Sequence, residues 1–149
     1  MKTLSKSQIH RFITKIYGED IAVRFIKPKY KEDKFNNFLA NISLICETFL
    51  ITINKNLWKE TPITYQKFLF LHEIGHIYSP YFNVKSGKST VKDELYAQKW
   101  AINTAKKLKM KKLYKYSKNQ LNAWKNYDWN GPYRKYRMAH NLAKKEGII

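Results

Sequence analysis

Apolar positions along this chain change period several times, and each change marks an element. Within residues 5–17, Ile9, Phe12, Ile13 and Ile16 recur at helical spacing, which predicts an amphipathic helix that Gly18 ends. Residues 21–26 read as a strand closed by Pro28. A charged connection, KPKYKEDKFNN, leads to two β-branched runs at residues 38–45 and 48–54 that read as a hairpin. Helical spacing returns with Tyr65, Phe68, Leu69, His72 and His76. Thr61 is placed to cap that helix, with Pro62 in its first turn, and Ser79-Pro80 to stop it. After a polar loop to Ser89, Thr90 is expected to cap a further helix running to about Lys109, with Asp93 in a capping-box role. From Ser117 the tail reads as one or two shorter helices broken at Asn130-Gly131-Pro132.

These elements, strands first and helices after, predict an α+β fold in which a small twisted sheet packs on one central helix and further helices follow. A length of 149 residues suits a single domain, 1–149, and 44% hydrophobic residues suffice for a core. No apolar run approaches the roughly 18 residues that span a bilayer. The opening MKTLSKSQIHRF lacks the apolar stretch of a secretory signal, and Cys46 has no cysteine to pair with. Both point to a cytoplasmic protein without membrane partners. The formal net charge of +18 comes mainly from lysine, with arginine only at positions 11, 24, 134 and 137. Lysine supplies charge without arginine's bidentate fork, so the imbalance suits non-specific contact with nucleic acid or an acidic surface, or simply a solvated face, more than sequence reading.

The chemistry concentrates in the segment His72-Glu73-Ile74-Gly75-His76, an HExxH motif on the central helix. Histidines four apart share a helix face, so both imidazoles can reach one ion, and Glu73 can act on a water beside it. The plainer reading is a pair of surface histidines flanking an ordinary glutamate. Phe68 and Leu69 argue against it by turning this face inward. A catalytic zinc takes three protein ligands and keeps one position open. Asp93, Glu94, Asp128, His140 and Glu146 are the downstream candidates. Glu94 fits best, because Ala97 and Ala101 share its face and, with Gly75 opposite, permit close approach of the two helices. Asp93 has the competing role of a capping acid.

The residues Ile51-Thr-Ile-Asn54, Phe70-Leu-His-Glu-Ile-Gly-His76 and Glu94-Leu-Tyr-Ala-Gln-Lys-Trp-Ala101 together resemble the ImmA/IrrE metallopeptidases. The resemblance spans residues 51–101. It implies a zincin-like fold, Zn2+ held by His72, His76 and Glu94, and Glu73 as the catalytic base of an endopeptidase. It also implies a phage or mobile-element setting and a helix-turn-helix repressor as protein substrate. Gln98 stands where the family has Asn or Asp, and Lys106-Lys-Leu-Lys-Met110 replaces a Leu- and Pro-containing segment. The SprT/Spartan proteases are similar in motif and charge, but take a nearby histidine as third ligand, whereas the one later histidine here is His140.

The alternative is a non-enzymatic basic regulator that binds nucleic acid or a partner and holds zinc structurally or not at all. An intact Glu73 counts against it, since a structural site needs no base. Among the other residues, His10 and His140 read as helix-surface histidines and Cys46 as a small core residue. Tyr78, Tyr81 and Tyr96 lie near enough in sequence to stabilise an oxyanion. Trp124, Tyr127, Trp129, Tyr133 and Tyr136, beside Arg134 and Arg137, read as the aromatic core of the last helices, with base stacking as the other use. The strand at 48–54 is the expected edge of the substrate cleft.

Overall fold

The structure is a computed structural model, and residues 3–27, 39–82, 89–127, 129 and 133–149 are described. Pro28, the charged connection beyond Lys27, Phe38, residues 83–88 of the loop before Ser89, Asp128 and the Asn130-Gly131-Pro132 break lie outside the described residues.

Helix α1 (Lys6–Tyr17) is framed by local chemistry. Ser5 and Gln8 form a reciprocal capping box at its start, and Gly18, at φ 87°, ends it in the left-handed region. Its stripe buries Ile9, Ile13 and Ile16. Strands β1 (Ala22–Ile26), β2 (Ala40–Ile45) and β3 (Thr48–Asn54) form a mixed sheet in the order β1-β3-β2. β2 and β3 are the expected antiparallel hairpin, and β1 adds parallel to β3 with Ala22 opposite Leu50. The central place of β3 explains why Ile51, Thr52, Ile53 and Asn54 are all buried instead of alternating. β3 is therefore not the cleft edge that its position before the motif helix suggested; β2 is an edge strand.

The hairpin turns on Cys46 and Glu47, at φ 49° and 63°. Two left-handed residues match the twist of the flanking strands, a geometry that the absence of Gly or Asn concealed. Cys46 is exposed at this tip and is not a core residue.

Asn54 ends β3 and caps the short helix α2 (Lys55–Trp58), its side chain accepting from the amides of Asn56 and Leu57. The motif helix α3 (Ile63–Tyr78) starts later than the capping pattern indicated. Pro62 takes the capping position, and the Thr61 hydroxyl donates back to Leu57 O at 2.7 Å. What fixes this corner is Gln66, fully buried, which accepts from Leu4 N and donates to the carbonyls of Trp58 and Thr61.

Helix α4 (Val91–Lys107) begins at Thr90, whose hydroxyl accepts from Asp93 N. Lys109, at φ 58°, breaks the chain before α5 (Lys111–Ala123), so α5 starts earlier than the tail pattern indicated. A 3-10 turn (Trp124–Asn126) and α6 (Arg134–Lys145) follow. The described residues thus make an α+β fold of one three-stranded sheet and six α-helices. One apolar core joins α1, the sheet and α3; a second joins Leu95 of α4 to Leu121, Trp124, Ala139 and Ala143. No helix among the described residues is long and apolar enough to cross a membrane.

Candidate metal centre

The approach of α3 to α4 decides the site. At Gly75 an added Cβ would stand 2.6 Å from Ala97 O and 2.9 Å from Ala97 Cα, so only glycine lets the helices come this close. Ala97 and Ala101 are fully buried, as their small size on the Glu94 face suggested. This packing sets Glu94 directly against the motif histidines. Glu94 Oε2 lies 2.9 Å from His72 Nε2, and its Oε1 lies 3.6 Å from His76 Nε2.

The other nitrogen of each ring is engaged. His72 Nδ1 lies 2.9 Å from Gln98 Oε1, while Gln98 Nε2 donates to Ser117 O at 2.7 Å. Since the Gln98 amide thereby turns its oxygen to the ring, His72 must carry its proton on Nδ1. His76 Nδ1 likewise donates to Asp93 Oδ2 at 3.0 Å. Both Nε2 atoms are left facing one carboxylate. A lone pair and a carboxylate oxygen at 2.9 Å repel unless a proton or a metal cation lies between them. Two imidazole nitrogens and a carboxylate, each oriented by a second partner, form a donor set that can hold a metal ion.

The carboxylates divide by environment. His72, Glu73 and His76 form a buried group, with one ligand atom from each within 4.8 Å of the others, that can hold a metal ion. Glu94 brings its carboxylate to the same two imidazoles. Burial raises the Glu73 carboxyl above its usual range, against the pull of His76 and His72, and among the described residues no hydrogen bond engages it. Burial pushes Glu94 the same way, but the His72 hydrogen bond and the positive charges of His76, His72 and Lys135 reverse this and hold it well below the usual carboxylate range. For His76, burial lowers the pKa, yet the Asp93 hydrogen bond and the charges of Glu94, Glu73 and Asp93 outweigh it and raise the ring to about 9. Ser89 Oγ also hydrogen-bonds Glu94 Oε1, and Lys135 reaches from α6 to Ser89 Oγ at 2.7 Å and to Glu94 Oε1 at 3.5 Å.

Glu73 and His72 line a cleft of about 250 Å³. Leu39 and Ala40, at the start of β2, form one wall, and Tyr65, Trp124, Tyr133 and Tyr136 are among the residues of the others. The aromatic cluster of the tail is therefore a cleft wall as well as a core, with Trp124 and Tyr136 rings 5.0 Å apart. Tyr78, Tyr81 and Tyr96 do not line it; Tyr78 stacks on Trp100 at 5.1 Å, and Tyr78 and Tyr81 are exposed. Asp93 is not a reciprocal capping acid but the carboxylate behind His76, a role invisible without the α3–α4 register. His140 is buried on α6 and not on its surface, and Glu146 is exposed at the end of that helix. His10 pairs with Asp20 at 2.7 Å, partly exposed and outside the centre.

Compared with known proteins, the chain matches no protein family, no curated protein and no solved structure.

Proposed function

We propose that this chain is a cytoplasmic zinc-dependent endopeptidase of zincin-like fold and ImmA/IrrE kind. One observation carries the reading: two Nε2 atoms, each fixed by a partner on its Nδ1, converge on Glu94, with Glu73 beside them on the wall of a cleft. His72, His76 and Glu94 would hold the ion. Zinc, when bound, polarises a carbonyl and acidifies water. Glu73 takes the proton of the attacking water and delivers it to the departing amine.

An extended peptide would add to the edge strand β2, which brings Leu39 and Ala40 to the cleft, through main-chain hydrogen bonds. The resemblance across residues 51–101 favours a helix-turn-helix repressor as the protein cut, and the phage or mobile-element setting would place its gene alongside. The test incubates zinc-loaded wild type and Glu73→Gln with the repressor encoded beside the gene, and with unfolded casein as control. Cleavage of the repressor by wild type alone is expected. Equal cleavage by Glu73→Gln, or a purified protein that takes up no metal, would overturn the peptidase reading.

A further inference from the structure

A second concavity opens on roughly the opposite face of α3 and, among the described residues, shares none of its lining with the cleft of His72 and Glu73. Its volume is about 430 Å³, and it lies where α1, the start of α3 and the start of α5 meet. Among the described residues Lys15, Lys67, Lys111 and Lys112 line it, with Phe12 and Met110 among its apolar residues, and no acidic one does. Among the described residues none of these lysines has an ion-pair partner. Lys15, Lys111 and Lys112 are exposed, whereas Phe12 and Met110 are half-buried.

Four ammonium groups around one hollow, with no ion-pair partner among the described residues and only Lys67 near a ring, 6.0 Å from the Phe12 centroid, repel one another, and an anion spanning them relieves that repulsion. α3 and α5 both begin here, and neither start carries a side-chain cap, so the positive ends of two helix dipoles add to the lysines' field. The hollow is far larger than one phosphate ion and lies within the range of small-molecule pockets, roughly 300–1,000 Å³. Its floor is apolar and partly aromatic. Cationic rim and apolar floor together match the two faces of a nucleotide, phosphate outside and base inside. We infer that this cleft binds single-stranded nucleic acid, with the lysines on successive phosphates and a base resting against Phe12 and Met110. The site uses none of the residues of the metal centre and stands independently of the peptidase reading.

The test is fluorescence anisotropy with a labelled oligodeoxythymidine of about a dozen nucleotides over a series of salt concentrations. One variant combines Lys15→Gln, Lys67→Gln, Lys111→Gln and Lys112→Gln. A charge-matched control combines Lys92→Gln, Lys125→Gln, Lys144→Gln and Lys145→Gln, none of which lines the cleft. Circular dichroism and thermal melting establish that both remain folded. The cleft variant is expected to bind at least about tenfold more weakly, and to lose about 2 to 3 from the slope of log affinity against log salt. The control should keep most of its affinity. Phe12→Ala should weaken binding without changing the slope. Equal losses in the two lysine variants would overturn the site in favour of diffuse charge. Tighter binding of duplex DNA or of anionic phosphatidylserine vesicles than of the single strand would overturn the choice of ligand.

Discussion

Asp93 Oδ2 lies 3.0 Å from His76 Nδ1, and Asp93 is fully buried. A carboxylate placed there fixes the tautomer and plane of the ring and raises the basicity of its Nε2, which is what a metal-ligating histidine needs. Its neighbour Glu94 reaches the two Nε2 atoms directly. One turn of α4 would thus supply, to a metal held there, both a ligand and the support of a ligand from adjacent residues.

Loss of that support should be measurable. Asp93→Ala is expected to weaken zinc binding about 10- to 100-fold, and Gln98→Ala, which frees His72 Nδ1, by a similar factor. Competition with a chromophoric chelator reads both. If Asp93→Ala binds zinc like wild type and merely unfolds at a lower temperature, Asp93 is a helix-end residue after all.

Ligand and base separate by a different pair of readouts. His72→Ala, His76→Ala and Glu94→Ala should each be depleted of zinc by metal analysis, since each removes one of three ligands. Glu73→Gln should keep the metal and lose hydrolysis, because an amide cannot take the proton of the attacking water. Stoichiometric zinc in Glu94→Ala would move the third ligand elsewhere.

Much of this centre was legible because it depends on local spacing. His72 and His76 share a face through helical periodicity alone, and the small residues Gly75, Ala97 and Ala101 signal a close helix contact by their size and spacing. What was not legible depends on register between distant segments. Whether Asp93 or Glu94 faces the two Nε2 atoms, or each engages one side of a ring, is set by the rotation of α4 against α3. The edge strand was misassigned because nothing in residues 22–26 signals that β1 joins parallel to β3 and encloses it. Cys46 and Glu47 form a left-handed turn without the glycine or asparagine that would have marked it. The Gln66 staple gave no signal either, since a glutamine on a helix reads as solvent-facing until the segments it ties together are known.

Gly75 offers a prediction on the packing itself. Gly75→Ala would put a methyl group 2.6 Å from Ala97 O, a backbone atom that moves only if α4 moves. Overpacking of this kind costs about 1–3 kcal/mol. Urea denaturation should show that loss, and zinc affinity should fall with it, because the same displacement draws Glu94 away from His72. An unchanged midpoint together with unchanged zinc affinity would show that the helices accommodate the methyl group.

His76 ties the metal-free protein to pH. Its pKa is raised from 6.5 to about 9 in the fold, so the folded state holds the proton more tightly than the unfolded chain does. The stabilisation is fully present below 6.5 and is lost as pH rises through about 9. Metal-free protein should therefore melt at progressively lower temperature across that window. Zinc must displace the same proton, so its apparent affinity should rise over the same range. Calorimetry near pH 7.5 in buffers of different ionisation enthalpy reads the proton released. Binding with no proton release would place the His76 proton elsewhere.

The proposed peptidase would further need a donor for the oxyanion formed as the peptide carbonyl is attacked, and the aromatic wall offers a candidate. Tyr136 lines the cleft beside Glu73 and His72, and its ring packs 5.0 Å from that of Trp124. Burial first, then the charges of Glu94 and Glu73, push its pKa well above the usual value, so the hydroxyl stays protonated and can donate throughout the working pH range. Tyr65 lines the same cleft and is raised for the same leading reason, but it stands on α3 itself, among the residues that position the motif. Tyr136 comes instead from α6, a separate element that lines the same cleft. Tyr136→Phe is therefore expected to lower kcat about 100-fold or more while zinc content stays unchanged, the usual loss for one oxyanion donor. Tyr78→Phe, stacked on Trp100 and outside the cleft, should leave kcat as it was. A Tyr136→Phe enzyme with wild-type kcat, or one that loses zinc in proportion to its activity, would remove Tyr136 from the chemistry and leave Tyr65 as the donor to test.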